Sequence, residues 1–189
     1  MRRFIAAIAI SAALASTAFA AEEYKIDPNH SSANFSVRHA GVSTVHGRFS
    51  KVTGAITFDE ANPANDKVVA VIEAGSITTD NSQRDNHLKS PDFFDVQKYP
   101  EIKFESTKVE KRGDQWVAIG NLTIKDVTKQ VELPFEMNKA TTGPKQVMGV
   151  NAETKVNRMD YHVNWNKVPG MVGEDVKIEV NVEASKAGQ

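Results

Sequence analysis

The chain has 189 residues, 23 Lys+Arg against 24 Asp+Glu, and a formal net charge of −1. That is the size of one domain, and it lacks the basic surplus a nucleic-acid partner would require. Cysteine is absent, which excludes disulfides, thiol catalysis, Cys-ligated zinc, iron–sulfur clusters and a lipid-anchored N-terminal cysteine.

The first segment has the layout of a secretory signal peptide. Arg2-Arg3 supply the positive charge, Phe4 to Leu14 is apolar apart from Ser11, and Ala18-Phe19-Ala20 is a small-x-small cleavage site. The apolar run is too short to span a bilayer, which takes about 20 residues. Cleavage is therefore expected after Ala20, with export by the general secretory route. The mature domain would be residues 21–189, carrying 21 Lys+Arg and 24 Asp+Glu and no further transmembrane segment.

Beyond Ala20 the dominant period is two, the mark of half-buried strands. Ala33, Phe35, Val37 and His39 alternate with Asn34, Ser36 and Arg38. Val68 to Ile72 is apolar on both faces, as in a strand covered on two sides. Thr78-Thr79-Asp80-Asn81 then offers capping oxygens, Ser82 to Ser90 is polar with few β-branched residues, and Pro91 follows. These residues predict a short helix. The next loop, Asp92-Phe93-Phe94-Asp95-Val96, carries two adjacent phenyl groups that must bury somewhere.

The alternation then resumes. Ile102, Phe104 and Ser106 share one face, Trp116 to Ile119 is apolar throughout, and Val131, Leu133 and Phe135 share a face. Val147, Gly149 and Asn151 alternate with little hydrophobic contrast, whereas Val176, Ile178, Val180 and Val182 alternate cleanly with Lys177, Glu179, Asn181 and Glu183. Turn residues punctuate the runs at Gly41, Gly54, Asn62 to Asp66, Arg112-Gly113-Asp114, Lys125-Asp126 and Thr142-Gly143-Pro144. Many short strands at this spacing predict an all-β sandwich or barrel.

No residue set carries an obvious reaction. His30, His39, His46 and His87 include no pair at the helical spacing of a hydrolytic zinc motif. Asp27, His30 and Ser31-Ser32 invite a triad, yet no Gly-x-Ser-x-Gly elbow and no Gly-rich phosphate loop is present. No catalytic residue, metal or cofactor is assigned.

The mature chain resembles the YceI-like family over nearly its whole length. The resemblance lies in Asp27-Pro28-Asn29-His30-Ser31, Phe35-Ser36-Val37-Arg38-His39, Val45-His46-Gly47-Arg48-Phe49, Gly54-Ala55-Ile56-Thr57-Phe58 and Arg84-Asp85-Asn86-His87-Leu88. It continues through Asp92-Phe93-Phe94-Asp95-Val96, Tyr99-Pro100-Glu101-Ile102-Lys103-Phe104, Gly120-Asn121-Leu122-Thr123-Ile124, Arg158-Met159-Asp160-Tyr161 and Val172-Gly173-Glu174-Asp175-Val176. The order and spacing of these pieces carry the likeness. Two turns depart from the family pattern: Lys125-Asp126 lacks a Gly, and Arg158-Met159-Asp160-Tyr161 runs on into His162-Val163-Asn164-Trp165 without one.

The resemblance implies an elongated antiparallel, lipocalin-like β-barrel of about eight strands with a short helix. It also implies a periplasmic protein that binds polyisoprenoids or other long-chain, fatty-acid-like lipids. On that basis Phe35, Val37, His39, Phe49, Phe58, Phe93, Phe94, Phe104, Trp116 and Leu122 are expected to line the cavity. Ala33, Gly47, Ala118 and Gly120 are expected to leave room in it. Arg38, Arg84 and Arg158 are candidates for a head group, because a guanidinium fork suits phosphate and carboxylate.

Each of these has a structural alternative. The aromatic residues can fill a dry core, Arg84 and Asp85 can lock the helix to the barrel, and His39 can be a satisfied core histidine. Three functions stay open at this point: a lipid carrier without catalysis, an enzyme acting on an isoprenoid or quinone-like lipid, and a stress-protective filled barrel. A homodimer that shelters an apolar barrel mouth is compatible with all three.

Overall fold

The computed structural model describes residues 21–142, 144–165 and 167–188. The expected signal peptide lies outside them, as does Gly143 of the expected Thr142–Pro144 turn. The strands and the helix are, in chain order, β1 (Glu22–Ile26), β2 (Ser32–His39), β3 (Ser43–Phe49), β4 (Val52–Phe58), β5 (Lys67–Glu73), β6 (Ile77–Thr78), α1 (Ser82–Lys89), β7 (Glu101–Arg112), β8 (Gln115–Ile124), β9 (Val127–Thr142), β10 (Lys145–Asn157) and β11 (Val172–Lys186). Every pairing is antiparallel. The order β1-β4-β5-β7-β8-β9-β10-β11 returns to β1, a closed ring of eight strands, and β2-β3-β6 continues from β11. The expected all-β barrel with a short helix is the observed fold. Among the described residues no helix is long and apolar enough to cross a membrane.

Closure depends on β11. One edge pairs with β10 from Val147↔Ser185 to Asn157↔Asp175. The other edge is shared, β2 taking Val172 to Asn181 and β1 taking Ala184 to Lys186. The chain turns a corner between those two partners, and Glu183 bridges it. The Glu183 carbonyl accepts from Asp27 N at 2.8 Å, and its N–H donates to Ser31 Oγ at 3.1 Å. The Ser31 hydroxyl thus takes the place of a backbone rung.

The period of two sets which side chains point inward, and one bulge resets it. Along β7, Ile102, Phe104 and Ser106 are buried, and then Val109. Ser106 pairs with Gly120 and Lys108 with Ile119, so Thr107 is the extra residue that shifts the phase. The Ser106 hydroxyl accepts from Val68 N at 2.8 Å and ties the bulge to β5.

Helix α1 forms where expected. Its N-cap Asn81 accepts from Arg84 N through its side chain, Asp85 sits in the first turn and His87 and Lys89 in the last, matching the helix dipole.

At Gly54, φ is +138°, and an added Cβ would fall 2.0 Å from the Val69 carbonyl oxygen. No L side chain fits there without separating β4 from β5. Gly54→Ala is expected to lower the unfolding free energy by about 2–4 kcal/mol. Urea unfolding checks this, and an unchanged midpoint contradicts it.

Candidate functional site

The inward positions of the barrel do not fill it. They enclose an apolar cavity of about 230 Å³. Its wall is built from the in-phase residues of successive strands: Phe35 and Val37 on β2, Ile56 and Phe58 on β4, Ala70 and Ile72 on β5, Met148 to Val156 on β10, and Val176 to Val182 on β11. Leu88 of α1 and Phe93 and Phe94 of the following loop line it at one end. Arg158 and Val163 also belong to that end, while Asp66, Phe58, Met137 and Met148 line the other.

Of the residues expected to line the cavity, Phe35, Val37, Phe49, Phe58, Phe93, Phe94, Phe104 and Leu122 do so. The Phe93-Phe94 pair finds its burial here. Phe94 meets Phe49 edge-on at 5.5 Å, and Phe49 lies 5.8 Å from Phe35, so the loop is joined to the β2–β3 wall. Phe93 stacks on Trp165 at 5.8 Å, and His87 packs edge-on against both rings.

His39 and Trp116 are not on the wall. His39 has the inward phase but is exposed, because β2 runs past the barrel edge there. Its partner is Val172, across a register shift from the Val37↔Val176 pair. Trp116 lies one inward step beyond Ala118, at the far end, against Phe58 at 5.9 Å and Phe135 at 6.2 Å. The expectation that small residues leave room also needs correcting for the glycines. A Cβ on Gly47 would sit 2.4 Å from the Phe35 ring, and one on Gly120 would sit 2.8 Å from the Phe104 ring. Gly47 makes space for the Phe35 ring, and Gly120 first for the β7 backbone, whose Glu105 O would lie 2.4 Å from the added Cβ, and then for the Phe104 ring.

The three arginines separate cleanly. Arg38 is exposed and staples its own hairpin, donating to Thr44 Oγ1 at 3.1 Å and Gly41 O at 2.6 Å. Arg84 donates to Thr79 Oγ1 at 2.7 Å and Thr79 O at 2.8 Å. Its neighbour Asp85 accepts from Thr79 N, Thr79 Oγ1 and Thr78 Oγ1. These bonds lock α1 to the end of β6, the structural alternative foreseen for this pair.

Arg158 alone lines the cavity, at 6% exposure. It donates to the carbonyls of Gly173 (2.8 Å), Val163 (2.7 Å), Trp165 (3.2 Å) and Val172 (3.0 Å). Val172 and Gly173 fall in the β11 register shift, so the guanidinium serves carbonyls at a break in the ladder. Burial lowers its pKa, and Glu174 pulls the other way.

The two turns that depart from the family pattern meet at this end. Lys125 takes φ 55° and His162 φ 56° without glycine. Lys125 Nζ donates to the His162 carbonyl at 2.8 Å, and His162 Nδ1 lies 3.1 Å from Asp126 Oδ1.

The Asp27–His30 pair sits at the closure corner. His30 Nδ1 is 2.8 Å from Asp27 Oδ2, and Glu183 completes a group whose donor atoms lie within 4.8 Å of one another. Ser31 turns its hydroxyl to the Glu183 backbone, so the residues that invited a triad serve the sheet. Sequence reasoning missed Asp66, Val163 and the β10 and β11 wall. The alternation of Val176 to Val182 already marked the last of these, but nothing local marked Asp66 or Val163.

The YceI-like domain pattern matches residues 24–184. The chain belongs to the YceI-like family. Protein YceI of Salmonella arizonae is 37% identical over 167 residues, covering 86% of each chain. The Campylobacter jejuni YceI protein superposes with a TM-score of 0.68 at 31% identity, over 78% of this chain and 88% of that one. Burkholderia cenocepacia BcnA shares the fold at a TM-score of 0.73 and 22% identity, over 84% and 98% of the two chains. A polyisoprenoid binding domain from Saccharophagus degradans shares it at 0.67 and 14%, over 86% and 98%.

Arg158→Met removes the donor from one buried and three part-buried carbonyls. A loss of about 3 kcal/mol is expected, seen as a lower urea midpoint at unchanged slope. Donating its Nδ1 proton to the Asp27 carboxylate raises the His30 pKa, and the same bond lowers that of Asp27. Their pairing therefore contributes to stability between the ordinary carboxylate and histidine pKa values, and is lost as pH rises through the raised His30 pKa or falls through the lowered Asp27 pKa. In an NMR titration His30 is expected to titrate above the usual histidine value, and Asp27→Asn to bring it back.

Proposed function

We propose that this protein is a periplasmic carrier that holds a long-chain isoprenoid or another amphiphilic lipid inside the barrel and does no chemistry on it. The observation that carries the reading is the continuous apolar cavity, walled by every strand of the ring and bounded at one end by the buried Arg158. Each methylene moved from water into such a wall contributes ~0.8 kcal/mol. A chain of about 16 carbons would gain on the order of 10 kcal/mol before the cost of ordering it. The tail supplies the affinity and the head group sets orientation.

Of the cavity wall, Phe35, Val37, Phe49, Phe94, Phe104 and Leu122 are proposed to contact the tail, with Phe93, Phe94 and Leu88 covering the helix end. Arg158 is the proposed head-group contact. A guanidinium has five N–H donors, and four are used on carbonyls of the described residues. The remaining donor, and a charge that has no ion pair within 4.0 Å among the described residues, favour a phosphate or carboxylate. Arg38 and Arg84 are committed to their own hairpin and helix, and are not needed for this role. Family membership supports the reading, as does the shared fold with a protein described as a polyisoprenoid binding domain. The signal-like segment before Ala21 is the basis for placing the protein in the periplasm.

Organic extraction of the purified protein, followed by mass spectrometry, is expected to return one dominant long-chain lipid at near-stoichiometric amount. An extract no richer than the buffer blank, from a protein that also fails to take up added lipid, would discard the carrier.

A further inference from the structure

Resting on the carrier reading, we infer a second polar seat in the cavity: Asp66, at the end opposite Arg158, receives an oxygen borne by the deep end of the lipid chain.

Asp66 ends the turn Pro63–Asn65 just before β5, is 8% exposed, and lines the cavity. Its Oδ1 accepts from Asp59 N at 2.7 Å. Its Oδ2 is buried and has no hydrogen-bond partner among the described residues. A buried carboxyl oxygen without a partner is costly, and in a wall of this composition it is out of place. The neighbouring Asp59 is provided for: its carboxylate accepts from Ala61 N, Asn62 N and Asn65 Nδ2.

Asp66 is joined to Asp59 through the Asp59 N–H, and the three donors on the Asp59 carboxylate favour its ionised form. Burial pushes the Asp66 pKa up, and the Asp59 charge adds to that, while the Asp59 N–H bond and Lys139 act in the other direction. Asp59 is held below the ordinary range, first by its bond from Asn65. Asp66 is thus the member of the pair whose surroundings favour the protonated form. Whether it donates or accepts, Asp66 Oδ2 has no partner among the described residues. The occupant of the cavity is the remaining source of one.

The ligand class is therefore a chain oxygenated at both ends: an anionic head at Arg158 and a hydroxyl or carbonyl at Asp66. The wall on β10 runs from Met148 to Val156. That span is roughly 26 Å along the strand and about 20 Å along the axis after allowing for strand tilt. A saturated chain of about 16 carbons covers that length.

The test compares linear fatty acids with their ω-hydroxy counterparts, in lengths of about 12 to 18 carbons, by calorimetry on the delipidated protein. The expected result is a preference of about tenfold for the hydroxylated chain at one length near the middle of the series. At shorter lengths the hydroxyl is expected to weaken binding, because it would sit against the apolar wall. In Asp66→Ala the hydroxyl should weaken binding at every length. Asp66→Asn, which keeps an acceptor for the Asp59 N–H and offers an N–H of its own, should retain the preference.

If plain acids bind but hydroxylation helps at no length, the seat is overturned and the carrier stands. A preference that survives Asp66→Ala in a folded protein also overturns the seat. If no member of the series binds, the seat for a linear two-ended chain is overturned, and the extraction experiment decides the carrier separately. An infrared difference spectrum of the native protein with carboxyl-labelled Asp decides the point without a variant. A carboxyl band is expected to shift with the ω-hydroxy chain and not with the plain one, and unshifted bands would overturn the seat.

Discussion

Everything in this molecule hangs on how β11 closes the sheet. A strand has two edges, and this one satisfies three neighbours by dividing one edge between β2 and β1. The division costs a corner in the chain at Asp27–Ser31 and a register shift near Val172. Both breaks expose backbone groups, and a dedicated side chain meets each: Ser31 at Glu183, and Arg158 at Val172 and Gly173. Without those substitutes the ladder would leave buried donors and acceptors unpaired, which folded proteins rarely tolerate.

Closure also decides the interior. An eight-stranded ring is just wide enough for side chains to fill it or for one slender ligand. Here the space beside the inward-facing Gly47 and Gly120 is taken up by the Phe35 ring, and by the Phe104 ring with the β7 backbone. The phenyl groups of the post-helix loop cover one end, and Phe58, Phe135 and Trp116 crowd the other. The wall between is mostly aliphatic and aromatic, with Thr154 among its few polar members, and Asp66 and Arg158 stand at its ends. A cavity of that kind takes a tail by its length and reads identity only at its poles.

Charged pairs decorate the outside without governing the fold. Lys177 lies between Glu153 and Glu179, and Arg112 meets Glu132, all on the solvent face. Such exposed pairs contribute little each. Their value is in keeping the outer positions of each strand polar, which holds every strand in one register.

Much of this was legible in the chain itself. Alternation at Ala33 to Val37, Ile102 to Ser106 and Val176 to Val182 marks half-buried strands, because side chains on a strand change face at every step. The capping oxygens before Ser82 and Pro91 after Ser90 delimit α1. Eight of the ten residues expected on the cavity wall are there. The failures share a cause: His39 and Trp116 keep the inward phase but stand past the ends of the wall. Phase is local, whereas the point at which a strand leaves the barrel depends on the lengths of its neighbours. Asp66 was unreadable for the same reason, since a turn aspartate looks alike whether its second oxygen meets water or a greasy channel. The sequence by itself determined the strands, the helix and the face each side chain takes, since those follow from neighbours along the chain. Only the tertiary structure decided which arginine is buried, which glycines are already filled and where the cavity ends, since those follow from strands brought together from far apart.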